Sequence, residues 1–120
     1  MMLTLHIYFN QIQIHHNGVT INHRGTFSNS RIIVADFLAF QAAIKAVLEM
    51  AAEKQIYTPP SKLFGNLRAT PIGLDVRENL ADELSPIEYK VLLETLLALG
   101  IKPVKPEQVL YHGKIPFQAA

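Results

Sequence analysis

Histidines are the side chains in this chain best suited to bind a metal or move a proton near neutral pH, and four of the five lie in the first 23 residues. His15 and His16 are adjacent, just before the turn signal Asn17-Gly18. Neighbouring residues of a strand point to opposite faces, so these two cannot chelate one metal together. A shared site would have to combine His15 with His6 on another strand.

Alternating apolar residues predict the strands that must position these imidazoles. The first strand runs over Leu3–Phe9, and the alternation continues through Ile12 and Ile14. Asn17-Gly18 offers the positive φ angles of a type I′ turn, after which the pattern resumes at Val19. We therefore predict a three-strand antiparallel meander with a tight second hairpin.

Turn length decides which histidines lie opposite each other. A two-residue Asn17-Gly18 loop places His15 opposite Thr20. A two-residue Asn10-Gln11 loop places His6 opposite His15, with Cβ atoms roughly 5 Å apart, which is close enough to share a transition metal. Two ligands are too few for a tight zinc site. We therefore expect no metal site, with His6 and His15 as the candidates if the protein is instead a small metal-dependent binder or enzyme.

Other catalytic patterns are missing. The chain has no cysteine, so it offers no thiolate nucleophile, and this composition suits the cytoplasm. No serine lies in a Gly-x-Ser-x-Gly turn, and the glycines are too isolated to form a phosphate-binding loop. Helix starts and loops explain the carboxylates of Asp36, Asp75, Asp82 and Glu83. The sequence thus identifies no catalytic residue, no cofactor-binding residue and no cofactor, and favours a protein that is not an enzyme.

Composition predicts one domain over residues 1–113, followed by a flexible tail over residues 114–120. The chain has 120 residues and is 49% hydrophobic, which supports a single core. The net charge of +1 gives no field to gather nucleic acid, so we expect no nucleic-acid partner. The most apolar segment, residues 37–52, is too short for a membrane span.

Two helices have clear boundary signals. Asp36 is a candidate N-cap for a helix over Phe37–Lys54. The stretch "LSPIEYKVLLETLLALG" has Ser85 at the N-cap, Pro86 at the first helical position and Glu88 completing a capping box. It predicts a second helix over Pro86–Leu99.

The remaining strands are short, and their order indicates the fold class. Leu67–Ile72 is a possible strand weakened by Pro71, and either Ile101–Val104 or Val109–Tyr111 supplies another. The expected fold is α/β with α+β character: a mixed sheet in which the antiparallel meander is followed by helix, strand, helix and strand. Ribonuclease H-like and actin-like domains share this order.

The stretch "LSPIEYKVLLETLLALGIKPV" resembles the capped helix, glycine and strand in the first subdomain of bacterial actin-type proteins, the rod-shape-determining MreB-type family. The residues that hold the family's positions are Ser85, Glu88, Lys90, Gly100 and Val104. The opening hairpin and third strand are also similar to that family in outline. The resemblance covers about one of the family's four subdomains and implies an actin-like subdomain acting by assembly.

The first strand and its turn differ from those of actin-type ATPases and ribonuclease H-like nucleases. Actin-type ATPases carry an acid and glycines in the first hairpin turn, whereas Phe9-Asn10-Gln11-Ile12 has neither. Ribonuclease H-like nucleases need a carboxylate on the first strand to hold metal ions, and Leu3–Phe9 has none. We therefore expect a module without the nucleotide-binding loop, or one subunit of a split nucleotide-dependent protein.

Apolar surface on the second helix predicts an interface. Its polar residues fall into two separate arcs, so more than one side must be covered, either by a partner or by the chain's own core. We predict a homodimer or a complex with a larger protein, and the candidate interface residues are Val91, Leu92, Leu96 and Leu99.

Overall fold

Five strands form a single mixed sheet in the order β3-β2-β1-β4-β5. The computed structural model describes residues 2–60, 69–80, 83–101 and 104–116. In chain order the elements are β1 (Leu3–Tyr8), β2 (Gln11–His16), β3 (Val19–Arg24), α1 (Phe37–Glu53), β4 (Ile72–Val76), α2 (Pro86–Ala98), a short 3-10 helix (Pro106–Gln108) and β5 (Val109–Tyr111). The predicted mixed α/β sheet with two helices is confirmed.

Both helices cover the same face of this sheet. β1, β2 and β3 are antiparallel neighbours, whereas β4 is parallel to β1 and β5 is parallel to β4. The crossovers β3-α1-β4 and β4-α2-β5 therefore connect parallel strands and advance in one direction across the sheet. Right-handed crossovers of this kind place their helices on one side. The buried residues of the two helices accordingly join one core with one face of the sheet.

The core lies between that apolar face and the helices. The sheet supplies fully buried aliphatic side chains from its central strands, and α1 and the loop before it add a pair of aromatic rings, Phe27 and Phe40, whose centroids are 5.0 Å apart. Gly25 allows β3 to end close to this pair, because a Cβ at that position would lie 3.0 Å from the Phe27 ring.

The helix caps are as predicted. Asp36 accepts a hydrogen bond from the backbone N–H of Ala39, and α1 ends with Lys54 as its C-cap. Ser85 and Glu88 form the expected capping box at the start of α2, which ends at Ala98 with Leu99 as its C-cap. Each N-cap side chain accepts from a backbone N–H that the first helical turn leaves without a partner.

The predicted second hairpin is confirmed, but the first is wrong by two residues in register. His15 lies opposite Thr20 across a turn in which Asn17 and Gly18 both have positive φ. In the first hairpin the loop is Phe9-Asn10 instead of Asn10-Gln11, so His6 lies opposite Gln13. Contacts from distant parts of the chain hold this turn, from Glu78 to Phe9 and from Ser28 to Asn10.

The fourth strand begins where the sequence placed its end. β4 runs over Ile72–Val76, and the described residues 69–71 are not part of a strand. The predicted strand Leu67–Ile72 is therefore wrong in its bounds. Residues 67 and 68 lie outside the described residues. Pro71 precedes the strand, and its carbonyl accepts a hydrogen bond from Leu3. All of Ile72–Val76 is buried, so β4 lacks the alternation that marks a half-buried strand.

The C-terminal part of the described chain contains the last strand and the start of the predicted tail. Of the two candidates for the last strand, Val109–Tyr111 forms β5, whereas residues 102 and 103 of the other candidate, Ile101–Val104, lie outside the described residues. Lys114 forms a backbone bridge with Tyr111, whereas residues 117–120 of the predicted tail lie outside the described residues. Across the described ranges, neither helix has the length and apolar character needed to cross a membrane.

Candidate functional site

The sheet face opposite the helices is polar and carries the two candidate metal ligands, His6 and His15. We call it the polar sheet face, defined by side chains of β1, β2 and β3 that alternate with the core residues. Its members are half-buried or exposed: Thr4, His6, Tyr8, Gln11, Gln13, His15, Thr20, Asn22 and Arg24. In the described chain no helix lies over this face, because both crossovers pass over the other side.

The structure brings His6 and His15 together, although not as directly opposed residues. Their rings meet edge to face with centroids 6.1 Å apart, across the diagonal of the β1–β2 pair. His15 also has polar neighbours at both ring nitrogens, with Thr20 Oγ1 3.3 Å from Nδ1 and Gln13 Oε1 3.3 Å from Nε2. The His15 ring is thus oriented by hydrogen bonds within the sheet face.

Burial lowers the pKa of His6 from its usual value of 6.5. Arg77 and His15 lower this pKa further, whereas the negative charge of Asp75 raises it and only partly offsets the burial. His6 is therefore a neutral imidazole at pH 7, able to donate one hydrogen bond and accept another.

Asp75 is the acid beside His6, and sequence reasoning placed it in a loop. It lies on β4 directly opposite His6 in the parallel register and is only 5% exposed. One carboxylate oxygen accepts a hydrogen bond from Arg77 Nη1 at 3.2 Å, and the other accepts one from the Gly113 N–H at 3.0 Å. Asp75 therefore fastens the turn after β5 to the sheet, which accounts for both of its oxygens.

The side chains of this face offer hydrogen-bond donors and acceptors. The described residues contain no group of three His, Cys, Asp or Glu side chains that could hold a metal ion. His6 and His15 remain a pair, and Asp75 is engaged by an arginine and a backbone amide.

A second feature, which sequence reasoning missed, lies at the carboxyl ends of β1 and β4. β1 ends at the hairpin turn Phe9-Asn10, and its parallel neighbour β4 leads toward α2. A cavity of about 550 Å³ opens there, with a lining that includes Phe9, Arg31, Asn79, Ser85 and Glu88. No local sequence motif marks it, because its walls come from four separate segments.

The polar groups around this cavity hold the fold together. Phe9 N–H donates to Glu78 Oε2 at 2.8 Å, which ties the end of β1 to the end of β4. Glu88 accepts a hydrogen bond from the Ile33 N–H at 3.1 Å and another from the Ser85 hydroxyl at 3.0 Å. These two carboxylates therefore serve as acceptors for backbone and capping groups, which gives them a structural role.

The same region explains the corrected first turn. Asn10 has a positive φ of 54°, which asparagine tolerates better than most residues. Its N–H donates to Ser28 Oγ at 3.0 Å, and its side-chain oxygen accepts from the Ser28 N–H at 2.7 Å. This reciprocal pair, with the Glu78 contact at Phe9, fixes the loop at Phe9-Asn10.

The four predicted interface residues of α2 divide into two kinds. Leu92 and Leu96 are fully buried in the chain's own core, so they offer no surface to a partner in this fold. Val91 and Leu99 are partly buried against the core and keep some accessible surface. More exposed apolar side chains of the helices are Leu38, Ile87 and Leu97. An interface on α2 stays a prediction, and of its four predicted residues Val91 and Leu99 are the two that keep accessible surface.

Comparisons with protein-family models, with curated proteins and with solved structures give no match to this chain.

Proposed function

We propose that the chain is a non-catalytic assembly module with a ribonuclease H-like arrangement, similar to an isolated actin-like subdomain. The strand order β3-β2-β1-β4-β5, with an antiparallel meander followed by two parallel crossovers, supports this arrangement. The resemblance around α2 also supports it, because Ser85 and Glu88 form a capping box and Gly100 follows the helix.

One observation carries the proposal: both helices cover one face of the sheet, and the other face has no helical layer in the described chain. Sheets with parallel strands are usually covered on both sides. Here the parallel pair β1 and β4 borders a surface of imidazole, amide and hydroxyl groups. This uncovered side of the sheet ends at the edge strand β3, so both the face and the edge are accessible to another protein.

The arrangement of acids argues against catalysis. Asp75, Glu78 and Glu88 each accept hydrogen bonds that connect elements of the fold. The first hairpin turn, Phe9-Asn10, offers neither the carboxylate nor the glycine that an actin-type nucleotide site requires. The module therefore acts through contact with a partner, which we take to be a second copy of the chain, in the cytoplasm.

Sedimentation velocity of the purified chain, from low to high micromolar concentration, tests this function. We expect the average sedimentation coefficient to rise with concentration toward that of a dimer. A chain that sediments as a monomer over the whole range would overturn the proposal of self-assembly.

A further inference from the structure

The outer edge of β3 carries backbone groups whose direction follows from the strand register. Gly25 N–H donates to the carbonyl of Asn10 at 2.9 Å, so this pair at the end of the β2–β3 ladder is hydrogen-bonded. Pairs in an antiparallel ladder alternate between bonded and non-bonded. The residues of β3 that turn their N–H and C=O away from β2 are therefore Thr20, Asn22 and Arg24.

These outward groups have no hydrogen-bond partner in the part of the chain that the structure describes. β3 pairs with β2 alone, and the side-chain bonds of Thr20 and Asn22 involve Oγ1 and Oδ1 rather than the backbone. Six consecutive residues pair one for one with β2, so no bulge interrupts the edge, and none of them is proline or lysine. The devices that usually protect an edge strand are thus largely missing.

The opposite edge of the sheet is closed. β5 has only three residues, and the chain folds back beside it so that Tyr111 N–H donates to the Lys114 carbonyl at 2.8 Å. One edge of the sheet is therefore short and covered, whereas the other is long and open. This asymmetry singles out β3 as the edge available to a partner.

We propose that β3 is the self-association edge, where two copies pair antiparallel about a two-fold axis at Asn22. The idea rests on the proposed function, since it assigns the surface through which that assembly occurs. In this register Asn22 lies opposite Asn22 of the second copy, and Thr20 lies opposite Arg24. Each outward N–H then meets a carbonyl of the other copy, and no like charges lie opposite one another.

A second copy fits this edge because a two-fold antiparallel pair uses the same residues on both sides. Thr20, Asn22 and Arg24 also belong to the polar sheet face, so the pairing would join the polar faces of two sheets into one continuous surface. The core faces join likewise, beside the α1 helix of each copy, which packs against β3. The dimer would then be one ten-stranded sheet with all its helices on one side.

The first test removes an outward donor without disturbing the β2–β3 ladder. Asn22→Pro deletes an N–H that points away from β2, a position where edge strands tolerate proline. The matched control is Asn22→Thr, which also loses the Gln11 side-chain contact at 2.7 Å but keeps the backbone N–H. We expect the dimer dissociation constant to rise at least about tenfold for Asn22→Pro and to change little for Asn22→Thr.

A disulfide trap supplies a second measurement that does not depend on proline. The chain has no cysteine, so Asn22→Cys introduces a single thiol, and two such thiols would face each other at the two-fold axis. The control is Glu94→Cys, an exposed position on α2. We expect rapid formation of a disulfide-linked dimer with Cys at position 22 and slow formation with Cys at position 94.

These two experiments distinguish a wrong assignment of the β3 edge from a failure of self-assembly itself. A dimer that persists in folded Asn22→Pro, or equal rates of disulfide formation at the two positions, would overturn the β3 edge while leaving self-assembly standing. A monomeric wild-type chain would overturn both. Circular dichroism shows in each case whether the variant has folded.

Discussion

The rings of His6 and His15 meet edge to face, with centroids 6.1 Å apart, although the two residues are not opposite each other in the β1–β2 register. His6 lies opposite Gln13 on one side and Asp75 on the other. The contact between the histidines is therefore diagonal. It places His6 between a second imidazole and the Asp75 carboxylate, and burial disfavours the charged form of His6 more than this carboxylate favours it.

Replacing His6 should reduce the loss of stability in mild acid. Because burial lowers the folded-state pKa of His6, the unfolded chain takes up this proton first as the pH falls below 6.5. Proton uptake by His6 in the unfolded chain therefore lowers the free energy of unfolding progressively, until the pH falls below the folded-state pKa of His6. We expect the free energy of unfolding of His6→Gln to fall less than that of the wild type between pH 7.5 and pH 5, as measured by urea denaturation. Thr4→Ser, on the same strand face, should keep the wild-type slope; a slope unchanged in His6→Gln would contradict the prediction.

Zinc should bind the histidine pair weakly. Two imidazoles leave a tetrahedral ion without protein ligands at two positions, and Asp75 is held by Arg77 and Gly113. In an NMR titration we expect no selective shift of the His6 and His15 ring signals at micromolar Zn²⁺. Saturable shifts at stoichiometric metal that disappear in His15→Ala would show that the sheet face is a metal site after all.

Phe40→Ala should be strongly destabilising. Phe40 is fully buried and packs against Phe27, so truncation leaves a cavity in the core. Comparable substitutions cost about 3–5 kcal/mol in the free energy of unfolding. The control is Leu38→Ala, two residues earlier on α1, where the side chain is 73% exposed and the expected change is within about 0.5 kcal/mol. Similar losses for the two variants in thermal or urea denaturation would contradict this packing.

Ser85→Ala should weaken the start of α2. The Ser85 hydroxyl accepts from the Glu88 N–H at 3.2 Å and donates to the Glu88 carboxylate, and the change removes both of these bonds. The backbone N–H of residue 85 keeps its contact with Glu88 Oε1. We expect a loss of about 1 kcal/mol in the free energy of unfolding, the usual effect of deleting an N-cap side chain. Ser30→Ala, in the exposed loop before α1, should have an effect within about 0.5 kcal/mol. Equal effects would mean that the capping box does not stabilise the helix.

Ile87→Asp should leave self-association unchanged. Ile87 is 78% exposed and lies one helical turn before Val91, on the helix for which the sequence predicts an interface. An acid in the first turn also suits the helix dipole, so folding should be preserved. If β3 pairs the two copies, the dimer dissociation constant measured by sedimentation should stay within about twofold of the wild type. A monomeric Ile87→Asp would instead place the interface on α2.

The sequence by itself determined those features whose causes are local. The alternation in residues 3–14, the turn at Asn17-Gly18 and the caps at Asp36 and Ser85 each depend on residues within a few positions of one another. The class of fold followed from the order of these elements, because antiparallel neighbours and crossover helices leave few arrangements of one sheet. The candidate pair His6 and His15 came from the same alternation.

Only the tertiary structure decided the register of the first hairpin, the position of β4 and the surroundings of the histidines. The first loop is held at Phe9-Asn10 by Ser28 and Glu78, which are distant in the sequence. β4 is buried throughout, so it has no alternating pattern to read, and the sequence predicts a loop position for Asp75, which instead lies beside His6. Burial of Leu92 and Leu96 likewise depends on which face of α2 meets the sheet. In each case the deciding energy comes from contacts between segments far apart in the chain, whereas sequence patterns record mainly the preferences of neighbours.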